Sequence, residues 1–126
     1  MAEAFLKSFD NDLEVYSAGV KPEIKINPNT VKVMNEEGID ISSAKPKDVR
    51  LFSADNFDYV ITVCDNAKQT CPVFKGKVGN IIHIPFNDPA NAKGTEAEIL
   101  RVYRKVRDEI KRSFHELYLS RILKSN

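Results

Sequence analysis

The sequence predicts an α/β fold: a parallel sheet with helices on both faces, in three layers, α/β/α. Three observations predict it. Helical and extended signals alternate along the chain as helix, strand, helix, helix, strand, loop, strand, helix. Two runs dense in β-branched and aromatic residues, Phe57–Val63 and Ile81–Ile84, read as buried parallel strands. The chain then enters a long segment in which Ile99, Tyr103, Val106, Ile110, Phe114 and Leu117 recur at helical spacing.

Met1–Phe9 is rich in good helix formers and places Ala2, Phe5, Leu6 and Phe9 on one face. No capping residue precedes it, so it reads as a helix lacking its first turn. Leu13–Tyr16 reads as a short strand ending at Ser17-Ala18-Gly19, with a Pro- and Lys-containing loop over residues 20–27. Asn27-Pro28 is a helix start, Asn as cap and Pro in the first turn, and Gly38 ends that helix. Ile39–Lys45 is a loop, and Pro46–Ser53 a short helix containing Val49, Leu51 and Phe52. Residues 85–94, with Pro85, Pro89 and Gly94, predict an ordered loop. Thr95-Glu96-Ala97-Glu98 is a capping box for the last helix. A parallel α/β unit should open with a strand whose carboxyl end leads into the first helix, and here none precedes Met1.

The 126 residues predict a single domain, 1–126. Apolar residues are 42% and charged residues 29%, an ordinary globular balance. A net charge of +1 excludes a nucleic-acid or acidic-membrane partner held by bulk electrostatics. No apolar run is long enough to span a bilayer, and residues 1–20 lack the pattern of a signal peptide. The expectation is a cytoplasmic protein, where thiols are kept reduced. Its two cysteines are then core thiols or redox groups rather than a permanent staple.

Cys64 and Cys71 are the first candidates for chemistry. Cys64 closes the stronger strand, at the carboxyl end where open α/β sheets place their ligands. On one rigid helix a seven-residue step is roughly 10 Å, too far for a disulfide, so bonding requires the segment to unwind. That suits a redox switch, and two buried thiols that happen to be near in sequence fit the spacing equally well. A metal site is weaker, because the spacing lacks a knuckle pattern. Asp88, in Pro85-Phe86-Asn87-Asp88-Pro89-Ala90, follows the last strand and could protonate a leaving oxygen; Asp-Pro is also a common turn. His83, inside an apolar strand, reads as a core or hydrogen-bonded residue rather than a base, and His115 as a solvated one. Arg101, Arg104, Lys105, Arg107, Lys111 and Arg112, interleaved with Glu96, Glu98, Asp108 and Glu109, read as a solvated face with i,i+4 pairs. There is no Gly-rich phosphate loop.

Several segments occur in a telling order: Glu14-Val15-Tyr16-Ser17-Ala18-Gly19, Gly38-Ile39-Asp40-Ile41-Ser42, Asp58-Tyr59-Val60-Ile61-Thr62-Val63-Cys64-Asp65-Asn66-Ala67, Cys71-Pro72-Val73-Phe74, Pro85-Phe86-Asn87-Asp88-Pro89-Ala90 and Gly94-Thr95-Glu96. Together they resemble the thioredoxin-coupled arsenate reductases, from Met1 to about Arg112. Those enzymes are built on the low-molecular-weight tyrosine phosphatase fold. Plain phosphatases share the fold and the Asp-Pro acid but lack this cysteine pair.

The resemblance implies arsenate as substrate, thioredoxin as reductant and a cysteine relay. In the family a first cysteine, in a Cys-x5-Arg-Ser loop, attacks arsenic. Asp88 matches the acid that protonates the departing oxygen. Cys64 matches the second cysteine, which attacks the first and releases arsenite. Cys71 matches the third, which closes a disulfide with the second and exposes it to thioredoxin. Family members can bind potassium near the first helix, and Glu3 and Ser17 match two ligand positions; we assign neither metal nor cofactor to this chain.

One departure is large. No Cys-x5-Arg occurs in the 126 residues, and in the family Met-Ala-Glu follows that loop directly. The expectation is a chain without the first strand and the anion loop, and inactive by itself. The alternatives are a phosphatase-like protein or a non-catalytic redox-responsive module. The lost strand would lie between Leu13–Tyr16 and Phe57–Val63, uncovering Phe5, Val60 and Ile61. That gap would favour pairing of those two strands or a homo-oligomer, with residues after Ser113 as a donor segment.

Overall fold

The computed structural model describes residues 1–18, 25–52, 54–64, 76–87 and 89–123, with the backbone alone at Val49 and Cys64. The chain divides into two compact units: a helical one of Met1–Tyr16, Lys25–Lys45 and Pro89–Asn126, and a sheet unit of Ser17–Ile24 and Pro46–Asp88.

The helical unit holds α1 (Ala2–Phe9), α2 (Pro28–Asn35) and α3 (Glu96–Leu117). Each end is set by the residues that announce it. Asn27 Oδ1 accepts from the Asn29 amide at 2.9 Å and caps α2. Beyond α2, Gly38 takes φ +76° and the Ile39 amide donates back to the Met34 carbonyl at 3.1 Å. Thr95 Oγ1 accepts from the Glu98 amide at 3.2 Å, and Glu98 answers by accepting from Thr95, so the capping box is built as expected.

Every buried apolar residue among those described lies on this unit. Phe5 and Leu6 of α1, Val33 and Met34 of α2, and Leu100, Tyr103, Val106, Ile110, Phe114 and Leu117 of α3 form its core. Phe5 is only 1% exposed, so the expectation that it lies uncovered is corrected: α1 turns that face into the helical core.

The residues after Ser113 also differ from expectation. The described ones are helix, not strand. They extend α3 to Leu117 and then widen into a π-helical turn, Tyr118–Ile122. Phe114, Leu117, Tyr118 and Ile122 are buried there. Tyr118 Oη donates to Asp10 Oδ2 at 2.9 Å, and the Phe9 ring meets His115 edge-on at 5.0 Å. The apolar period of α3 continues through this segment, so burying it as helix costs no exposed edge.

The basic residues of α3 also pair differently. Arg104 and Arg107 reach Glu36, and Lys111 reaches Glu37, all beyond the end of α2. Arg104 and Arg107 hold the Glu36 carboxyl well below the usual carboxylate range, at about 2, the Arg104 hydrogen bond contributing most.

The sheet unit contains β1 (Phe57–Cys64) and β2 (Val78–Phe86), paired in parallel as expected. Its entry is tight. A Cβ on Gly76 would lie 2.1 Å from the Asp55 carbonyl oxygen, and the Phe57 amide donates to the Lys77 carbonyl at 2.8 Å. Ahead of β1, the Pro46–Ser53 helix is realised as a 3-10 turn, Val49–Phe52, capped by Asp48 Oδ1 on the Arg50 amide at 2.9 Å.

Three expectations are corrected here. Leu13–Tyr16 is irregular rather than a strand: four residues become a strand only through a ladder, and the described ladder consists of β1 and β2. The two strands are not fully buried: Val63 is 40% and Ile81 73% exposed, since a two-stranded ladder leaves much of each face uncovered. Finally, β2 runs through Pro85 to Phe86 rather than stopping at Ile84, and a 3-10 turn, Pro89–Asn91, follows. The ladder slips there: Thr62 faces His83 while Cys64 faces Phe86. Pro85 has no N–H to give, so an irregularity at this point is the expected response.

Candidate functional site

The sheet sets the position of the candidate site. Cys64 is the last residue of β1, and its ladder partner Phe86 is the last residue of β2. Both strands therefore end together, and the carboxyl end of the sheet is the end that carries Cys64. A parallel pair requires the chain to return the length of the sheet between its strands. Cys71 and Asp88, and the side chain of Cys64, lie outside the described residues. Of the three expected site residues, the structure thus places the Cys64 backbone, at the sheet end where the sequence reading put it.

His83, read from the sequence as a core or hydrogen-bonded residue rather than a base, has a partner across the sheet. His83 Nδ1 lies 2.6 Å from Thr62 Oγ1, across the ladder and two residues before Cys64. His83 is hydrogen-bonded, as expected, but exposed rather than part of a core. The signal that could have found it is the parallel register, which a sequence does not print.

Elsewhere, a shallow groove of about 420 Å³ in the helical unit is lined by Phe9, Glu37, Asp108, Lys111, Arg112 and His115. Lys111 already pairs with Glu37 and Asp108 with Arg107, so the groove presents a neutralised surface. Among the described residues no three His, Cys, Asp or Glu side chains cluster as metal ligands. Glu3, at a potassium-ligand position in the resembling family, has the Lys7 ammonium 3.4 Å away. No helix among the described residues is long and apolar enough to cross a membrane.

Residues 1–126 match the family described as low molecular weight phosphotyrosine protein phosphatase. The chain belongs to that family. Within it the similarity is to arsenate reductases. The arsenate reductase of Shouchella clausii is 44% identical over 111 residues, which are 87% of this chain and 78% of that protein. The arsenate reductase of Bacillus subtilis is 41% identical over the same share of each chain. Among solved structures, an arsenate reductase in the phosphate binding state superposes with a TM-score of 0.76 at 27% identity, covering 92% of this chain and 83% of that one. An arsenate reductase in the oxidized state superposes with a TM-score of 0.74 over the same coverage. The family's α/β fold, with its parallel sheet, is the fold expected from the sequence.

Proposed function

We propose that the protein is an arsenate reductase-type oxidoreductase of the cytoplasm whose reductant is thioredoxin. The observation that supports this best is Cys64 at the carboxyl end of the parallel sheet, in a chain 44% identical to an arsenate reductase. In the relay the family's first cysteine attacks arsenate, and Asp88 gives a proton to the departing oxygen. Cys64 then attacks the sulfur of that first cysteine. The sulfur–arsenic electron pair stays on arsenic, which leaves as arsenite, and a disulfide forms. Cys71 attacks Cys64, frees the first cysteine as a thiolate and closes a Cys64–Cys71 disulfide. The dithiol of thioredoxin supplies the two electrons that reopen it.

The 126 residues contain no Cys-x5-Arg, hence no anion loop and no first nucleophile of their own. This polypeptide alone therefore has the second half of the relay. Two measurements test the reading. With arsenate and thioredoxin the 126-residue polypeptide shows no turnover. Mild oxidation produces an intramolecular Cys64–Cys71 disulfide that mass spectrometry detects and thioredoxin reverses. Two thiols that stay free, or pair only between chains, refute the relay assignment. Arsenate turnover lost on Cys64→Ser refutes the inactivity of this polypeptide. A phosphatase reading has the family description in its favour, but gives Cys71 nothing to do.

A further inference from the structure

Thr62 and His83 form a cross-strand pair that the relay does not use. They face each other on β1 and β2, and Thr62 Oγ1 is 2.6 Å from His83 Nδ1. Cys64 stands two residues further along β1, and two residues return a strand to the same face. The slip in the ladder leaves this alternation intact. From Thr62/His83 to Cys64/Phe86, β1 advances by two residues and β2 by three, so the extra residue belongs to β2.

We propose that His83, held by Thr62, is the proton acceptor that readies the Cys64 thiol for the relay. The proposal rests on the reading of Cys64 as the relay cysteine. The backbone thus sets Thr62, His83 and Cys64 at one end of the sheet, at neighbouring positions of the ladder. A single water could bridge His83 and Cys64.

The chemistry needs such a group. The thiolate, not the thiol, attacks a disulfide, and an ordinary cysteine is mostly protonated at neutral pH. Histidine is the side chain that exchanges a proton there. The proton leaves Cys64 and arrives on His83 Nε2; no electron moves. In the resulting imidazolium, Nδ1–H donates to Thr62 Oγ1. Thr62 is thus the positioning residue. By accepting from Nδ1–H it selects the tautomer whose Nε2 is free to take the proton. His83 Nε2 has no hydrogen-bond partner among the described residues. The ring is exposed, so the imidazolium is solvated when it forms. The other ionisable groups of the two strands are Asp58, on the same face at the far end of β1, and Tyr59, on the opposite face; Lys77 precedes β2. Among the described residues of the two strands, the backbone places none of these between the His83 and Cys64 positions.

The test uses the full chain carrying Cys71→Ser, so that Cys64 is its only thiol. Alkylation by iodoacetamide is followed by mass spectrometry from pH 5 to pH 9.5. At pH 7 the rate should fall about tenfold on His83→Gln, one pH unit of thiolate formation. The inflection should move up toward the ordinary thiol value of about 8.5. Thr62→Val should give an intermediate profile, and Thr62→Ser, which keeps the hydroxyl, should restore the parent one. A merely structural tie would leave the profile where it is. Profiles of His83→Gln and Thr62→Val that superimpose on the parent overturn the proposal. Should His83→Gln fail to fold by circular dichroism, identical profiles for Thr62→Val and Thr62→Ser overturn it as well. Alkylation reports protonation whether or not a Cys64–Cys71 disulfide forms, so this proposal and the relay fail separately.

Discussion

Arg107 of α3 donates to Glu36, beyond the end of α2, at 2.7 Å, and the same Nη1 donates to the Val33 carbonyl at 3.0 Å. One guanidinium thus satisfies a backbone carbonyl of α2's final turn and a carboxylate next to it. A helix ends with carbonyls that lack intrahelical partners, and here a cation from a neighbouring helix supplies one.

Arg107 and Arg104 should therefore differ in weight. The Arg107 side chain is 11% exposed and Arg104 44%. Arg107→Met is expected to lose about 1–3 kcal/mol, the range for a hydrogen bond to a charged group whose partners become orphaned. Arg104→Met should lose less, as exposed ion pairs do. Urea unfolding of the two variants decides it; equal losses would mean that α3 does not depend on Arg107 to hold α2.

Acid should weaken the helical unit through Glu36. Its carboxyl is held at about 2 against an ordinary 4.5, the Arg104 hydrogen bond first among the causes. A depressed carboxylate contributes stability that is fully present above its unfolded value and lost as pH falls through the folded one. The window is thus from pH 4.5 down to about 2. Glu36→Gln should flatten the stability profile there and leave it unchanged in shape above. Asp48, held at about 2 by Arg50, titrates in the same window, so the flattening should be partial. A profile as steep as the parent's would show that Glu36 is not paired in solution.

The C-terminal turn should brace α1. Phe114, 1% exposed, should cost about 3–5 kcal/mol as Phe114→Ala. Tyr118→Phe removes only the bond to Asp10, and should cost about 0.5–1.5 kcal/mol. Thermal unfolding followed at 222 nm measures both. A chain ended at Ser113 that melts where the parent melts would remove the brace from the account.

The mouth of the sheet should be intolerant of a methyl group. Gly76→Ala would press its Cβ onto the Asp55 carbonyl oxygen, 2.1 Å away, and Gly79→Ala onto that of Asp58, 2.8 Å away. Both contacts are with backbone, so the strands must part, at a cost of about 1–3 kcal/mol, larger for Gly76. Amide exchange along β1 and β2 should rise accordingly. Unchanged protection in Gly76→Ala would mean that the entry is looser than it stands here.

What the sequence determined by itself is local. Asn27-Pro28, Gly38 and the Thr95–Glu98 box settle helix ends because their partners lie within four residues. The apolar period of α3 and the β-branched run of β1 name those elements for the same reason, and Cys64 could be placed at a strand end before any coordinate. Tertiary structure decided whatever needs a partner far along the chain. Leu13–Tyr16 has strand-forming residues and no described ladder to join. Arg104, Arg107 and Lys111 sit four or fewer residues from acids of their own helix, yet Glu36 and Glu37, about seventy residues away, take Arg104 and Lys111 and share Arg107 with Asp108. The Thr62–His83 pair exists only because parallel register sets two residues twenty-one positions apart side by side. A ladder or an ion pair forms where three-dimensional proximity has already overcome the entropy of closing the loop, and proximity of that kind is a property of the packed chain.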